Sequence, residues 1–146
     1  MQACWFRWCK VDNFRPMKSP SIPIQIRYRD MDMNQHVNNA VYFTYMENAR
    51  SAVLLEDMLK YHSEGFQFVV AEASCKYKMP IVLTDKIVCE VNFAPVRPTS
   101  WDIIYTFGNE ETNVVHAEGT TRMVLFNSNT GRPMAIPEWF TNKYLI

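Results

Sequence analysis

Glycine is scarce in this chain, with only four in 146 residues, spread at positions 65, 108, 119 and 131. P-loops and dinucleotide fingerprints each need several clustered glycines, so nucleotide hydrolysis and Rossmann redox chemistry are excluded. No Gly-x-Ser-x-Gly occurs, which closes the α/β-hydrolase route to a serine nucleophile. Net charge is also missing. Fifteen Lys and Arg balance fifteen Asp and Glu, leaving neither the basic footprint of a nucleic-acid partner nor an acidic tail. No uncharged apolar run approaches the roughly 18 residues of a membrane span, and the opening MQACWFRWCK lacks the apolar centre of a secretory signal. No membrane partner is therefore expected, and a cytoplasmic location is. The four cysteines, Cys4, Cys9, Cys75 and Cys89, are too scattered for a disulfide framework. Cys4 and Cys9 have no second ligand pair nearby, and His36, His62 and His116 show no metal-ligand spacing, so neither metal nor cofactor is expected.

What is present is an ordinary globular composition, 48% hydrophobic and 14% aromatic, at a length that suits one domain with one substantial core. Residues 1–20 carry no helical or strand period and read as an extension. Met17 is a candidate natural start, with the preceding residues a mis-set start or an added remnant. Residues 21–146 read as the single domain. Ile22, Ile24, Ile26 and Tyr28 alternate with polar neighbours as a half-buried strand does. Val41, Tyr45, Ala49, Ala52, Leu55 and Leu59 recur at three- and four-residue steps, which predicts a helix over about 39–60 with those residues on its buried face. Asn38 or Asn39 is the expected N-cap.

Four strands follow, over 66–77, 86–93, 100–107 and 113–126. Val69, Ala71, Ala73, Cys75 and Tyr77 are expected in phase on the first of these, and a bulge is expected at Gly119. His62 reads as a solvent-facing residue at the helix end, and His116 as an exposed-face strand residue. Strand, long helix, then strands joined by short turns implies α+β architecture, an antiparallel sheet of about five strands with a helix on one face.

The chemistry is concentrated in Asp30-Met31-Asp32-Met33-Asn34-Gln35-His36-Val37-Asn38-Asn39, which places two carboxylates, an imidazole and four amides between a strand and a helix start. A helix N-terminus offers unpaired amides and partial positive charge to a developing oxyanion. A carboxylate just upstream can activate water or attack a carbonyl, and an imidazole can orient it or move a proton. These ingredients suit acyl transfer to water. The same residue types also cap turns and helices, so a purely local hydrogen-bonding role stands beside the catalytic one.

The run Arg27-Tyr-Arg-Asp-Met-Asp-Met-Asn-Gln-His-Val-Asn-Asn-Ala-Val-Tyr-Phe43 closely resembles the signature of hot-dog-fold thioesterases, the 4-hydroxybenzoyl-CoA thioesterase-like acyl-CoA group. It is also similar to the Asp-x-Asn-x-His-Val-Asn-Asn motif of plant acyl-acyl-carrier-protein thioesterases. The resemblance continues through Val70-Ala71-Glu72, Tyr77-Lys78-Met79-Pro80, Thr84-Asp85 and 131–137, and so covers about residues 20–140. It implies a hot dog, in which a curved antiparallel sheet wraps one long helix.

By that resemblance Asp32 matches the catalytic carboxylate, acting as nucleophile or as general base toward water. Asn34 and His36 match residues that polarise the water in the plant-like branch. Backbone amides near Asn39 and Ala40, with Tyr42 beside them, would hold the thioester oxygen. Glu72 lies near the place where some relatives carry an acidic helper, with Lys76 competing for it. The implied substrate is an acyl thioester of coenzyme A or acyl carrier protein, with Lys76, Lys78 and Arg97 as candidate phosphate partners. The implied assembly is a homodimer or homotetramer with sites between subunits. Two other activities are open on this fold: an enoyl thioester hydratase or dehydratase, and a non-catalytic acyl-thioester binding protein.

Overall fold

A computed structural model describes residues 19–145 of the chain. Cys4, Cys9, Met17 and the rest of the expected extension up to Lys18 lie outside the described residues. In chain order the elements are β1 (Ser21–Ile24), a turn of 3-10 helix (Tyr28–Asp30), α1 (Val41–His62), β2 (Phe66–Tyr77), β3 (Ile87–Arg97), β4 (Ser100–Asn109), β5 (Val115–Asn127), β6 (Arg132–Pro133) and α2 (Glu138–Tyr144). Every pairing is antiparallel, in the order β1-β3-β4-β5-β2, with the two-residue β6 on β5. The α+β architecture is as expected, with a sixth short strand and a second short helix added.

The strands form because their apolar residues keep period two against one covered face. On β4, Trp101, Ile103, Tyr105 and Phe107 are all fully buried, and Ile87, Cys89 and Val91 of β3 pack beside them. Against this face α1 buries Tyr42, Tyr45, Met46, Ala49 and Leu54. A Cβ at Gly119 would clash with Met46 Sδ, so the glycine makes room for that methionine side chain beneath the helix. Gly119 is not the bulge expected of it, since it pairs in register with both Cys75 and Tyr105. The irregularities fall instead at Ala71, Val96 and His116.

Three further expectations need correction. The first strand stops at Ile24, because the chain turns into the 3-10 helix that leaves Tyr28 85% exposed. The helix starts at Val41 with Ala40, not Asn38 or Asn39, as its N-cap, while Asn38 Oδ1 accepts the Ala40 amide at 2.9 Å one step earlier. The helical face also departs from the expected one: Ala52 is exposed, and Leu55 and Leu59 are 49% and 64% exposed. At about 100° per residue, Leu55 lies roughly 120° around the helix from Ala49, so the two cannot both face the sheet squarely.

Candidate active site

Asp30 fixes the start of the loop that precedes α1. Its buried carboxylate accepts the Arg27 amide at 2.8 Å and the Tyr45 phenol at 2.8 Å, and its backbone carbonyl accepts the Asn38 amide at 2.8 Å. Burial, reinforced by the hydrogen bond to Asp30, pushes the Tyr45 phenol well above its ordinary pKa, so it remains the donor in that bond. Asp30 thus fills the structural role that this residue type commonly has.

Between Met31 and Val37, which form an antiparallel bridge, the chain makes a tight reversal. The Asp32 amide donates to the His36 carbonyl at 2.8 Å, and the Gln35 amide to the Asp32 carbonyl at 3.0 Å. Gln35 sits in the left-handed region at φ +61°, an unusual conformation for a residue with a side chain. Asp32 Oδ1 accepts the amides of Asn34 at 2.8 Å and His36 at 3.2 Å. Its other oxygen, Oδ2, accepts from no described side chain or amide. Oδ1 therefore builds the turn, while Oδ2 is engaged by none of the described residues.

The opposite wall is residues 78–84, which link β2 to β3. It is tied to the Asp32 loop by the Val37 amide, which donates to the carbonyl of the fully buried Ile81 at 2.9 Å. Two cavities open along it. The larger, about 650 Å³, is lined by Asp32, Asn34 and His36 on one side and Val82, Leu83 and Thr84 on the other. The smaller, about 300 Å³, is lined by Asp32, His36, Asn39 and Tyr42 with Lys78 and Pro80 opposite. Asp32 and His36 border both.

The N-terminus of α1 closes the smaller cavity, and its first turn contains no acidic residue to offset the partial positive charge there. The Ala40 amide is already spent on Asn38 Oδ1. Asn39 lies in the lining, its carbonyl taking the Tyr77 hydroxyl at 2.9 Å. Tyr42 is buried edge-to-face against Tyr77, ring centroids 4.9 Å apart. Burial is the main force pushing the Tyr42 phenol up to about 12, so it stays protonated and neutral in the cavity wall at ordinary pH.

Asp32, Asn34, His36, Asn39, Tyr42 and Lys78 are thus brought together. Lys78 is engaged by Glu118. Lys76 is exposed on β2, in register with the same Glu118. Glu72 stands five positions along β2 from Tyr77, roughly 17 Å at 3.4 Å per residue, paired with Arg122. Arg97 is at the far end of β3 from the 78–84 wall, opposite Ser100. Neither Glu72 nor Arg97 reaches these cavities within one chain.

Two features were not legible as site features. The wall residues 79–84 carry no motif of catalytic type, although the resemblance passes through Met79-Pro80 and Thr84. His116 is not on the exposed face: it is 7% exposed, and its Nδ1 is 2.9 Å from the Pro80 carbonyl. It sits opposite the step between Phe107 and Gly108 as the extra residue of a bulge, which re-aims its side chain.

Comparison with known proteins agrees with this fold. A family model described as the thioesterase-like superfamily matches residues 26–144. The acyl-CoA thioester hydrolase YbgC of Escherichia coli is 25% identical over 124 residues, covering 80% of this chain and 88% of its own. The long-chain acyl-CoA thioesterase FadM of Escherichia coli is 27% identical over 121 residues, covering 77% and 87%. A Thermus thermophilus thioesterase solved in complex with coenzyme A and Zn is 28% identical with a TM-score of 0.73, covering 88% of this chain and 95% of its own. The probable thioesterase YbaW of Escherichia coli shares the fold at a TM-score of 0.77 and 24% identity, over 84% and 94% of the two chains. From the end of β1 to the end of α2, the chain belongs to the thioesterase-like superfamily.

Proposed function

We propose that this protein hydrolyses acyl thioesters of coenzyme A, with Asp32 as the reacting carboxylate. The observation that carries the reading is Asp32 at the junction of two cavities, Oδ1 held by two amides and Oδ2 unengaged among the described residues, next to the N-terminus of a 22-residue helix. As general base, Oδ2 takes a proton from water as the water oxygen adds to the thioester carbonyl. The helix N-terminus favours the oxyanion that forms. Collapse of the tetrahedral intermediate breaks the C–S bond, and the proton held by Asp32 passes to the leaving thiolate, giving free acid and thiol. As nucleophile, Oδ2 would itself bond to the carbonyl carbon, expel the thiolate, and yield a mixed anhydride that water cleaves. Single turnover in ¹⁸O-labelled water tests for the second route: an anhydride that water cleaves at the Asp32 carboxyl carbon leaves label in Asp32 and none in the released acid, a pattern the general-base route cannot give.

His36 borders both cavities and is the residue best placed to orient the water, with Asn34 beside it. Lys78 is the cation nearest the site for a carrier phosphate. A homodimer through β2 accords with the strand's position: it is 12 residues long, ends the sheet order, and exposes Val69 and Val70. Light scattering reports the assembly directly.

The test is thiol release from acetyl, hexanoyl, decanoyl, palmitoyl and benzoyl CoA, with Asp32→Asn run beside the native chain. Release that is lost in Asp32→Asn supports the reading. Release from acyl carrier protein thioesters alone would move the carrier. Tight thioester binding without release from either, unchanged in Asp32→Asn, would sink it in favour of a binding protein.

A further inference from the structure

The wall facing Asp32 has few regular hydrogen bonds to hold it. Pro80 lacks an amide hydrogen, so its carbonyl is its one backbone handle. That carbonyl is taken by His116 Nδ1 at 2.9 Å, from a buried side chain on a different strand. A carbonyl can only accept, so Nδ1 is the protonated nitrogen of this imidazole. The backbone of the same residue holds the segment again: the His116 carbonyl accepts the amides of Lys78 at 2.8 Å and Met79 at 3.0 Å. A single bulged residue thereby fixes three consecutive wall residues, 78–80, and the next, Ile81, accepts the Val37 amide from the Asp32 loop. The path from β5 to the reacting loop is continuous: His116, Pro80, Ile81, Val37, with His36 and Asp32 adjoining.

Farther along, the wall is pinned separately. Asp85 accepts the Val82 amide at 2.8 Å with one oxygen and the Asn109 side-chain amide at 3.2 Å with the other. Pro80, lining the cavity that Asp32 and Tyr42 share, is the part left to His116.

We propose that His116 is a positioning residue that sets the separation between the 78–81 wall and the Asp32 loop, and so the fit of the thioester between them. This rests on the hydrolase reading above. It touches no reacting atom, so its loss shows in substrate binding rather than in the chemical step.

Three variants test it. Asn at 116 can place a side-chain amide where Nδ1 now lies; Gln reaches the position of the far nitrogen instead; Leu supplies volume with no donor. Amide hydrogen exchange at Val37, Lys78 and Met79 reads the wall, and steady-state kinetics on the best acyl-CoA reads the site. In His116→Leu, exchange at Val37 should quicken about tenfold and KM rise about fivefold, with kcat within about twofold of native. His116→Gln should behave like His116→Leu, and serves alone if the latter does not fold. His116→Asn should restore both readouts to within about twofold, which a purely volumetric role would not produce. Unchanged exchange in a folded His116→Leu, changed exchange with native KM, or failure of Asn to rescue would each overturn the proposal. If the native chain releases no thiol, it is the hydrolase reading that falls. His116 is then judged by exchange together with coenzyme A affinity measured by calorimetry, where a fivefold weakening in His116→Leu upholds its role and an unchanged affinity refutes it.

Discussion

Tyr45 and Leu59 lie on the same helix in opposite circumstances. Around Tyr45 the helix is buried and tied by hydrogen bonds: Tyr45 donates to Asp30 of the loop at 2.8 Å and Arg50 to the Tyr105 hydroxyl on β4 at 3.4 Å, while Tyr77 of β2 donates to the Asn39 carbonyl just ahead of the helix at 2.9 Å. Around Leu59 the ties run to α2 at the surface. Lys143 Nζ is 2.7 Å from Asp57, the Tyr144 hydroxyl donates to the same carboxylate, and Tyr61 stacks on Trp139 with ring centroids 3.9 Å apart. Burial would raise the Asp57 pKa, yet these two donors outweigh it and hold the carboxyl below its usual range. Between α1 and β2 at this end lies an apolar groove of about 340 Å³ lined by Leu55, Met58, Leu59 and Val69. One half of the helix is tied through Tyr45 to the loop; the other leaves Leu55 and Leu59 facing out while Leu54 stays buried. Function and stability should accordingly respond to different residues along one element.

The strongest test of that division is Asp32→Asn. The amide keeps an oxygen for the Asn34 and His36 amides, so the turn should persist, with stability within about 1 kcal/mol of native. Thioester hydrolysis should fall about a thousandfold, roughly 4 kcal/mol in activation free energy. Stopped assays and urea titration of the same sample check both. Next comes Leu54→Ala, where a fully buried side chain is removed at the middle of the helix. It should cost about 3 kcal/mol in unfolding free energy with KM nearly native, whereas Leu59→Ala should stay within about 0.5 kcal/mol. A large loss at Leu59 in the isolated chain would erase the contrast; a loss that depends on protein concentration would place that leucine in a subunit interface. Tyr45→Phe leaves Asp30 buried with the Arg27 amide as its donor, and should cost about 1–2 kcal/mol while also slowing turnover through the loop it anchors. Smallest is Gln35→Gly, which relieves the left-handed strain at φ +61° and should change stability by under about 1 kcal/mol in the favourable direction, read as a rise in melting temperature.

The sequence exposed much of this, unevenly. β2 is read correctly at both ends because Gly65, at φ +87°, and the Lys78-Met79-Pro80 run bound an unbroken strand pattern. Asp32, Asn34 and His36 are legible as candidates because they fall within five residues and their turn is local. The helix face past Ala49 is misread because three- and four-residue steps taken one after another drift around the axis, and only packing decides which stripe wins. β6 and α2, at two and seven residues, are too short to carry a period. His116 is misread for a different reason: alternation assigned it outward, and one bulge across from Phe107 and Gly108 turned it inward. The wall at 78–84 is assembled by contacts from β5 and the Asp32 loop, which no local spacing announces.

The bulge at Ala71 has an arithmetic of its own. Phe68 and Tyr77 both face the core side, opposite Leu125 and Ala117, although nine positions separate them, an odd number that a regular strand would send to opposite faces. Ala71 is the spare link that corrects the parity, which is why Val69 and Ala71 fall out of phase with Ala73, Cys75 and Tyr77. The strand can therefore surrender one residue near that point, straighten, and keep Phe68 beneath the groove and Tyr77 beside the Asp32 cavity. It cannot surrender two, because the second loss would turn one end of the molecule inside out to preserve the other.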